Sequence, residues 1–173
     1  MGKGEADADP PTTRSGRCFC GKVCVTLTGA PTAVSICHCV NCRKLSGAPF
    51  TAQALVKGTQ VEVRRDEGVD ELVGFASSPA VERFRCPECL SPVYASLNKG
   101  KMAAVPLSIL NGGDADADCG GGDGDVVEPP LKATHHMYYA DRIIDVPDDL
   151  PKYVKSAGRQ AELWTDAVDC EGN

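Results

Sequence analysis

The sequence predicts a mainly β domain of antiparallel sheets held by zinc-binding cysteine knuckles, and three observations carry that prediction. Short runs alternate apolar with polar residues between Gly and Pro punctuation, the mark of many short strands rather than long helices. Aromatic residues make up only 5% of the 173-residue chain, with Trp164 the single tryptophan, so the core is small and aliphatic and calls for a staple. Seven of the ten cysteines fall into Cys18-Phe19-Cys20, Cys37-His38-Cys39-Val40-Asn41-Cys42 and Cys86-Pro87-Glu88-Cys89, spacings suited to a metal such as zinc.

Residues 1–14 are acidic, poor in large apolar side chains and read as a solvated tail. Val23, Val25 and Leu27 then alternate with Lys22, Thr26 and Thr28 as in a half-buried strand. Gly21 frees the backbone to curl after Cys20, and Gly29-Ala30-Pro31 ends the strand. Val34 to Cys37 reads as a strand leading into the thiol turn, and Asn41 to Ser46 as one helical turn stopped by Gly47 and Pro49. Phe50, Ala52, Ala54 and Val56 share one face of the next strand, and Val61 and Val63 mark another. Glu71–Ala76, Val81–Arg85, Val93–Ala95, Met102–Ile109 and Thr134–Tyr139 complete the strand set. The Gly/Asp-rich segment 111–130 reads as a mobile surface loop, Gln160–Thr165 as a short helix, and 156–173 broadly as a C-terminal tail.

The thiols argue for metal. In extended chain a residue and its second neighbour point the same way, so Cys37 and Cys39 share a face and a tight turn brings Cys42 back to them. A closed structural zinc site takes four protein ligands, whereas a catalytic one takes three plus water or substrate. Seven motif cysteines divide as four and three, which leaves one position open. No apolar leader follows Met1, so the expected location is cytoplasmic, where thiols stay reduced and disulfides are disfavoured. The formal charge is −6 and no cluster of Lys and Arg appears, so nucleic acid is not an expected partner. No apolar run is long enough to span a membrane.

The order Cys-x-Cys-Gly-x-Val, Cys-His-Cys-x-x-Cys-Arg, Phe-x-Cys-x-x-Cys, a His-rich strand and Asp-Asp-Leu-Pro-Lys-Tyr resembles the glutathione-dependent formaldehyde-activating family, which includes centromere protein V. The likeness runs from about Ser15 to Tyr153, apart from the Gly/Asp-rich segment 111–130, within a domain placed at residues 15–155. It implies a β-tent fold with two zinc ions: Cys18, Cys20, Cys86 and Cys89 at a structural site, Cys37, Cys39 and Cys42 at a catalytic one. It also implies a carbon–sulfur lyase that joins glutathione to formaldehyde as S-hydroxymethylglutathione. The same resemblance covers a second function, a non-catalytic zinc-stabilised interaction module.

Several assignments stay open at this level. Cys24, His135 or His136 is able to complete a second closed zinc site, although a buried, satisfied core histidine is the commoner outcome for the pair. A metal-free nucleophilic cysteine is a further alternative. His38 is expected to support the ligands or face solvent, and Arg43 and Lys44 to offset the charge of three thiolates. Of Tyr138 and Tyr139, one is expected in the core and the other beside a pocket. Arg142 reads as a surface charge, with a substrate carboxylate as its alternative partner. Cys119 and Cys170 read as free thiols without a role.

Overall fold

The computed structural model describes residues 12–110, 129–158 and 160–165. Two sheets face each other. The smaller, in the order β1-β2-β5, contains β1 (Thr13–Arg17), β2 (Val23–Thr28) and β5 (Val61–Arg65). The larger has the order β10-β3-β4-β9-β8-β7-β6, from β3 (Ala33–Cys37), β4 (Thr51–Lys57), β6 (Val73–Ser78), β7 (Val81–Arg85), β8 (Pro92–Leu97), β9 (Met102–Pro106) and β10 (His135–Met137). Every pairing is antiparallel except that of β10 with β3, which is parallel. The fold is therefore mainly β, as the alternation predicted.

The core is aliphatic, as the composition required. Val23, Val25 and Leu27 of β2 pack with Ala54 and Val56 of β4, Val93 of β8 and Val105 of β9, all at 0% exposure. Full burial of each such Val or Leu contributes about 1.5–3 kcal/mol.

Four elements differ from expectation, the first being β1, whose Thr13 and Arg14 fall within the expected tail but pair with Thr28 and Leu27 of β2. Met102–Ile109 is not one strand: the ladder with β4 ends at the pair Gln53–Pro106, and α2 (Leu107–Leu110) follows. Pro106 has no N–H to extend the ladder, and Leu107, Ile109 and Leu110 all turn into the core. This helix lies so close to β1 that a Cβ on Gly16 would sit 1.9 Å from the Ile109 carbonyl oxygen. Gln160–Thr165 is not helical; Leu163 bridges Tyr153 antiparallel, with Val154 N–H bonded to Glu162 O at 2.9 Å. Extended chain there satisfies backbone groups of residues 152–154, and it keeps the segment up to Trp164 on the domain rather than in a tail. The His-rich strand is also shorter than read, because Tyr138 takes a left-handed conformation (φ 55°) and starts a 3-10 turn.

Residues 1–11 of the expected 1–14 tail, residues 111–128 of the expected loop with Cys119, residue 159, and residues 166–173 with Cys170 lie outside the described residues. No helix among the described residues is long and apolar enough to cross a membrane.

Candidate metal centres

The first cluster joins the two sheets. Past β1, Cys18 N–H bonds to Val23 O and Gly21 N–H to Cys18 O, each at 2.9 Å, and the left-handed Gly21 (φ 80°) turns the chain so that Cys20 returns beside Cys18. Past β7, Leu90 N–H reaches Cys86 O at 3.1 Å and closes the knuckle that brings in Cys86 and Cys89. The four sulfurs lie within 4.8 Å of one another. Cys18–Cys20 and Cys20–Cys86 are 3.5 and 3.7 Å apart, close to the roughly 3.8 Å edge of a tetrahedron with Zn–S bonds of about 2.3 Å. Burial pushes the Cys18 thiol up to about 12. Four soft donors at tetrahedral spacing fit a metal better than four free thiols.

The second cluster sits where β3 becomes α1 (Val40–Ser46). Cys39 is the N-cap of that helix, its sulfur accepting from Cys42 N–H at 3.4 Å. The cap therefore sets the Cys-x-x-Cys turn and brings Cys42 back to the strand end. The sulfurs of Cys37, Cys39 and Cys42 lie within 4.8 Å of one another. Their packing divides the protons unevenly: the neighbouring thiols Cys39 and Cys42, and then burial, push Cys37 up, whereas hydrogen bonds with Cys37 and Cys42 push Cys39 down.

Only three donors make up this second set among the described residues. Cys24 is buried on β2 but is disulfide-bonded, which removes it as a fourth ligand and corrects the expectation of reduced thiols at that position. His136 is the core histidine of its pair, 0% exposed and bonded to His38 and Asp148. His135 is half-buried against Thr134 and Tyr153. The two buried side-chain polar atoms that lack a hydrogen-bond partner among the described residues are His38 Nδ1 and Thr51 Oγ1. Both flank Cys37, one in sequence and the other as its cross-strand partner.

The surrounding charges are not those read from the sequence. Arg83 of β7, not Arg43 or Lys44, places Nη2 3.6 Å from Cys42 Sγ, with its Nε held on Ser77 Oγ at 3.0 Å. Arg43 spends its Nε on the His38 carbonyl at 3.0 Å. His38 is buried, which excludes the solvent-facing alternative. Tyr139 is the core tyrosine. Tyr138 is half-buried; burial and then the charges of Cys37 and Cys39 push its phenol up, so it keeps its proton beside the cluster. Arg142 is not a plain surface charge: its guanidinium lies 4.8 Å from the Tyr139 ring centre and 4.4 Å from that of Trp164.

Fold and site together define a class: a mainly β domain with one four-thiol and one three-thiol cluster, each able to hold a metal ion. More particularly, the chain belongs to the glutathione-dependent formaldehyde-activating enzyme family, whose profile matches residues 13–126. A Schizosaccharomyces pombe protein described as an uncharacterized lyase is 28% identical over 86 residues, half of this chain. The chain spans 59% of that relative's length. A crystal structure of a Rhodobacter sphaeroides protein is similar at a TM-score of 0.46 and 19% identity, covering 60% of this chain and 94% of that one. A likeness of that size bears on neither fold nor function.

Proposed function

We propose that the chain is a zinc-dependent carbon–sulfur lyase acting in the joining direction on a thiol such as glutathione and an aldehyde such as formaldehyde. The observation that carries this reading is the set of Cys37, Cys39 and Cys42, which among the described residues is one donor short of a closed tetrahedral shell. Membership of the family, and the lyase description of the fission-yeast relative, point the same way.

In this reading Cys18, Cys20, Cys86 and Cys89 hold a structural zinc, and Cys37, Cys39 and Cys42 hold the second. Zinc supplies Lewis acidity when bound and lowers the pKa of a thiol brought beside it. The protein's own groups do the rest. Arg83 offsets the net negative charge of three thiolates around a dication. Tyr138, kept protonated, is the nearby O–H donor suited to a carbonyl oxygen. The α1 cap holds the turn rigid, so that two reactants meet in a fixed orientation. The C–S bond forms as the carbonyl π bond breaks, and the thiol proton ends on the new hydroxyl, so atoms and electrons balance without an oxidant.

The test is exchange NMR of formaldehyde with glutathione, run with and without the full-length zinc-loaded protein. The wild type should accelerate exchange, and Cys42→Ala should abolish the acceleration while losing about one zinc equivalent and retaining the fold. A wild type carrying two zinc ions and giving no acceleration would defeat the reading in favour of a non-catalytic zinc module.

A further inference from the structure

A chain of polar groups behind the three-thiol turn, buried at its two histidines and reaching solvent at its far end, has no part in the reaction above. His38 and His136 are both 0% exposed, and His38 Nε2 lies 2.8 Å from His136 Nδ1. His136 Nε2 continues to the Asp148 carboxylate at 2.9 and 3.1 Å, and Lys152 Nζ meets the same group at 2.8 Å. Burial alone would raise that carboxyl, but Lys152 and then His136 bring it down to about 2.

The donors then follow in order. An ammonium only donates and a carboxylate only accepts, so His136 gives its Nε2–H to Asp148. With that one proton on Nε2, His136 presents Nδ1 as the acceptor for His38 Nε2–H, and this is the tautomer pair the inference takes. His38 is held at its backbone as well: its N–H bonds to Met137 O at 3.0 Å, and its carbonyl accepts from Arg43 Nε at 3.0 Å.

His38 is the one residue between the thiols Cys37 and Cys39. Successive side chains of extended backbone point to opposite sides, so a ring locked inward turns both flanking thiols the other way, towards Cys42. We propose that His136, Asp148 and Lys152 are positioning residues for the three-thiol centre, acting through His38. All three lie beyond residue 126, where the family match ends. The segment that follows β10 is thus part of the site's construction.

This inference rests on the reading of Cys37, Cys39 and Cys42 as metal ligands, and its test does not use enzyme activity. Full-length wild type, His136→Phe, Asp148→Asn and Lys152→Arg are titrated with a chromophoric zinc chelator, and the His38 side-chain nitrogens are followed by 15N NMR. The expected result is that His136→Phe and Asp148→Asn loosen one of two zinc equivalents about tenfold, the scale of losing a group that orients ligands. The tighter equivalent stays unchanged and the His38 nitrogen shifts move. Lys152→Arg, which keeps the charge, retains wild-type affinity. If His136→Phe fails to fold, Asp148→Asn still decides, because that carboxylate is 32% exposed and its exchange for an amide disturbs little packing. Two equivalents of unchanged affinity in Asp148→Asn, or a proton on Nδ1 of His38 in the zinc-loaded wild type, overturns the inference alone. Uptake of a single equivalent by the wild type overturns the ligand assignment and this inference together.

Discussion

Replacing Cys86 by Ser tests the idea that metal, not the aliphatic core, holds the two sheets together. Cys86 is fully buried, and its sulfur lies 3.7 Å from that of Cys20 across 66 residues of chain. The length-dependent part of closing such a loop costs about 3.7 kcal/mol, from 1.5RT ln n. A closed four-thiolate zinc site supplies on the order of 10–16 kcal/mol of apparent binding energy, well above that cost. A domain of this size is stable by only about 5–15 kcal/mol in total. Removing one of four ligands therefore takes away a term as large as the net stability, and the variant should be unfolded or insoluble when produced like the wild type. Circular dichroism melting, size-exclusion chromatography and metal analysis together read the outcome. A soluble Cys86→Ser protein that melts cooperatively at the wild-type temperature would refute the reasoning, because the core would then suffice. The three-thiol set makes the contrast: it spans only residues 37–42, closes no long loop, and its loss should leave the fold standing.

Two further outcomes follow from the packing. Gly16→Ala drives a methyl to within 1.9 Å of the Ile109 carbonyl oxygen; backbone must move, so a loss of about 1–3 kcal/mol is expected. Thermal denaturation should show a Tm several degrees lower with both metals retained, and an unchanged Tm would mean that α2 is not seated on β1. Arg83→Met removes the cation 3.6 Å from Cys42 Sγ, and the loss of a charge-assisted hydrogen bond at this half-buried position is worth about 1–2 kcal/mol. Zinc competition should show the weaker equivalent loosened about 5- to 30-fold, and unaltered affinity would remove Arg83 from the site.

What was legible in the sequence was local. Cys-x-Cys and Cys-x-x-Cys spacings are read within one turn of chain, and the strands of the core declare themselves by alternation within five or six residues. What escaped depends on partners far apart. His38 and His136 are separated by 98 positions, and nothing beside either histidine announces the other. Arg43 and Lys44 adjoin Cys42 in sequence, yet the guanidinium at its sulfur is Arg83, delivered by a strand from the other end of the sheet. Cys24 showed the strand parity of Cys20 and so read as a spare ligand, while its disulfide depends on tertiary placement. The segment 160–165 has helix-compatible residues, but the open edge at Tyr153 offered backbone partners and propensity gave way.

The arrangement of β7 explains why the two centres belong to one domain rather than to separable modules. Its alternation places Arg83 and Arg85 on one face and Phe84 on the other, where the Phe84 ring stacks on Tyr94 at 4.7 Å. From the first face Arg83 reaches the sulfur of Cys42. Arg85 donates through Nη1 to Leu90 O at 2.8 Å and through Nη2 to Leu45 O. Leu90 closes the knuckle of the four-thiol cluster, whereas Leu45 lies on the helix that carries Cys42, so one guanidinium spans both. The next residue, Cys86, is itself a thiol of the first cluster. A strand that runs into a thiol of one cluster, and whose side chains brace the helix of the other, transmits position directly between them. The four-thiol site is on this argument more than a staple for a small core: it sets the frame against which the three-thiol turn is held.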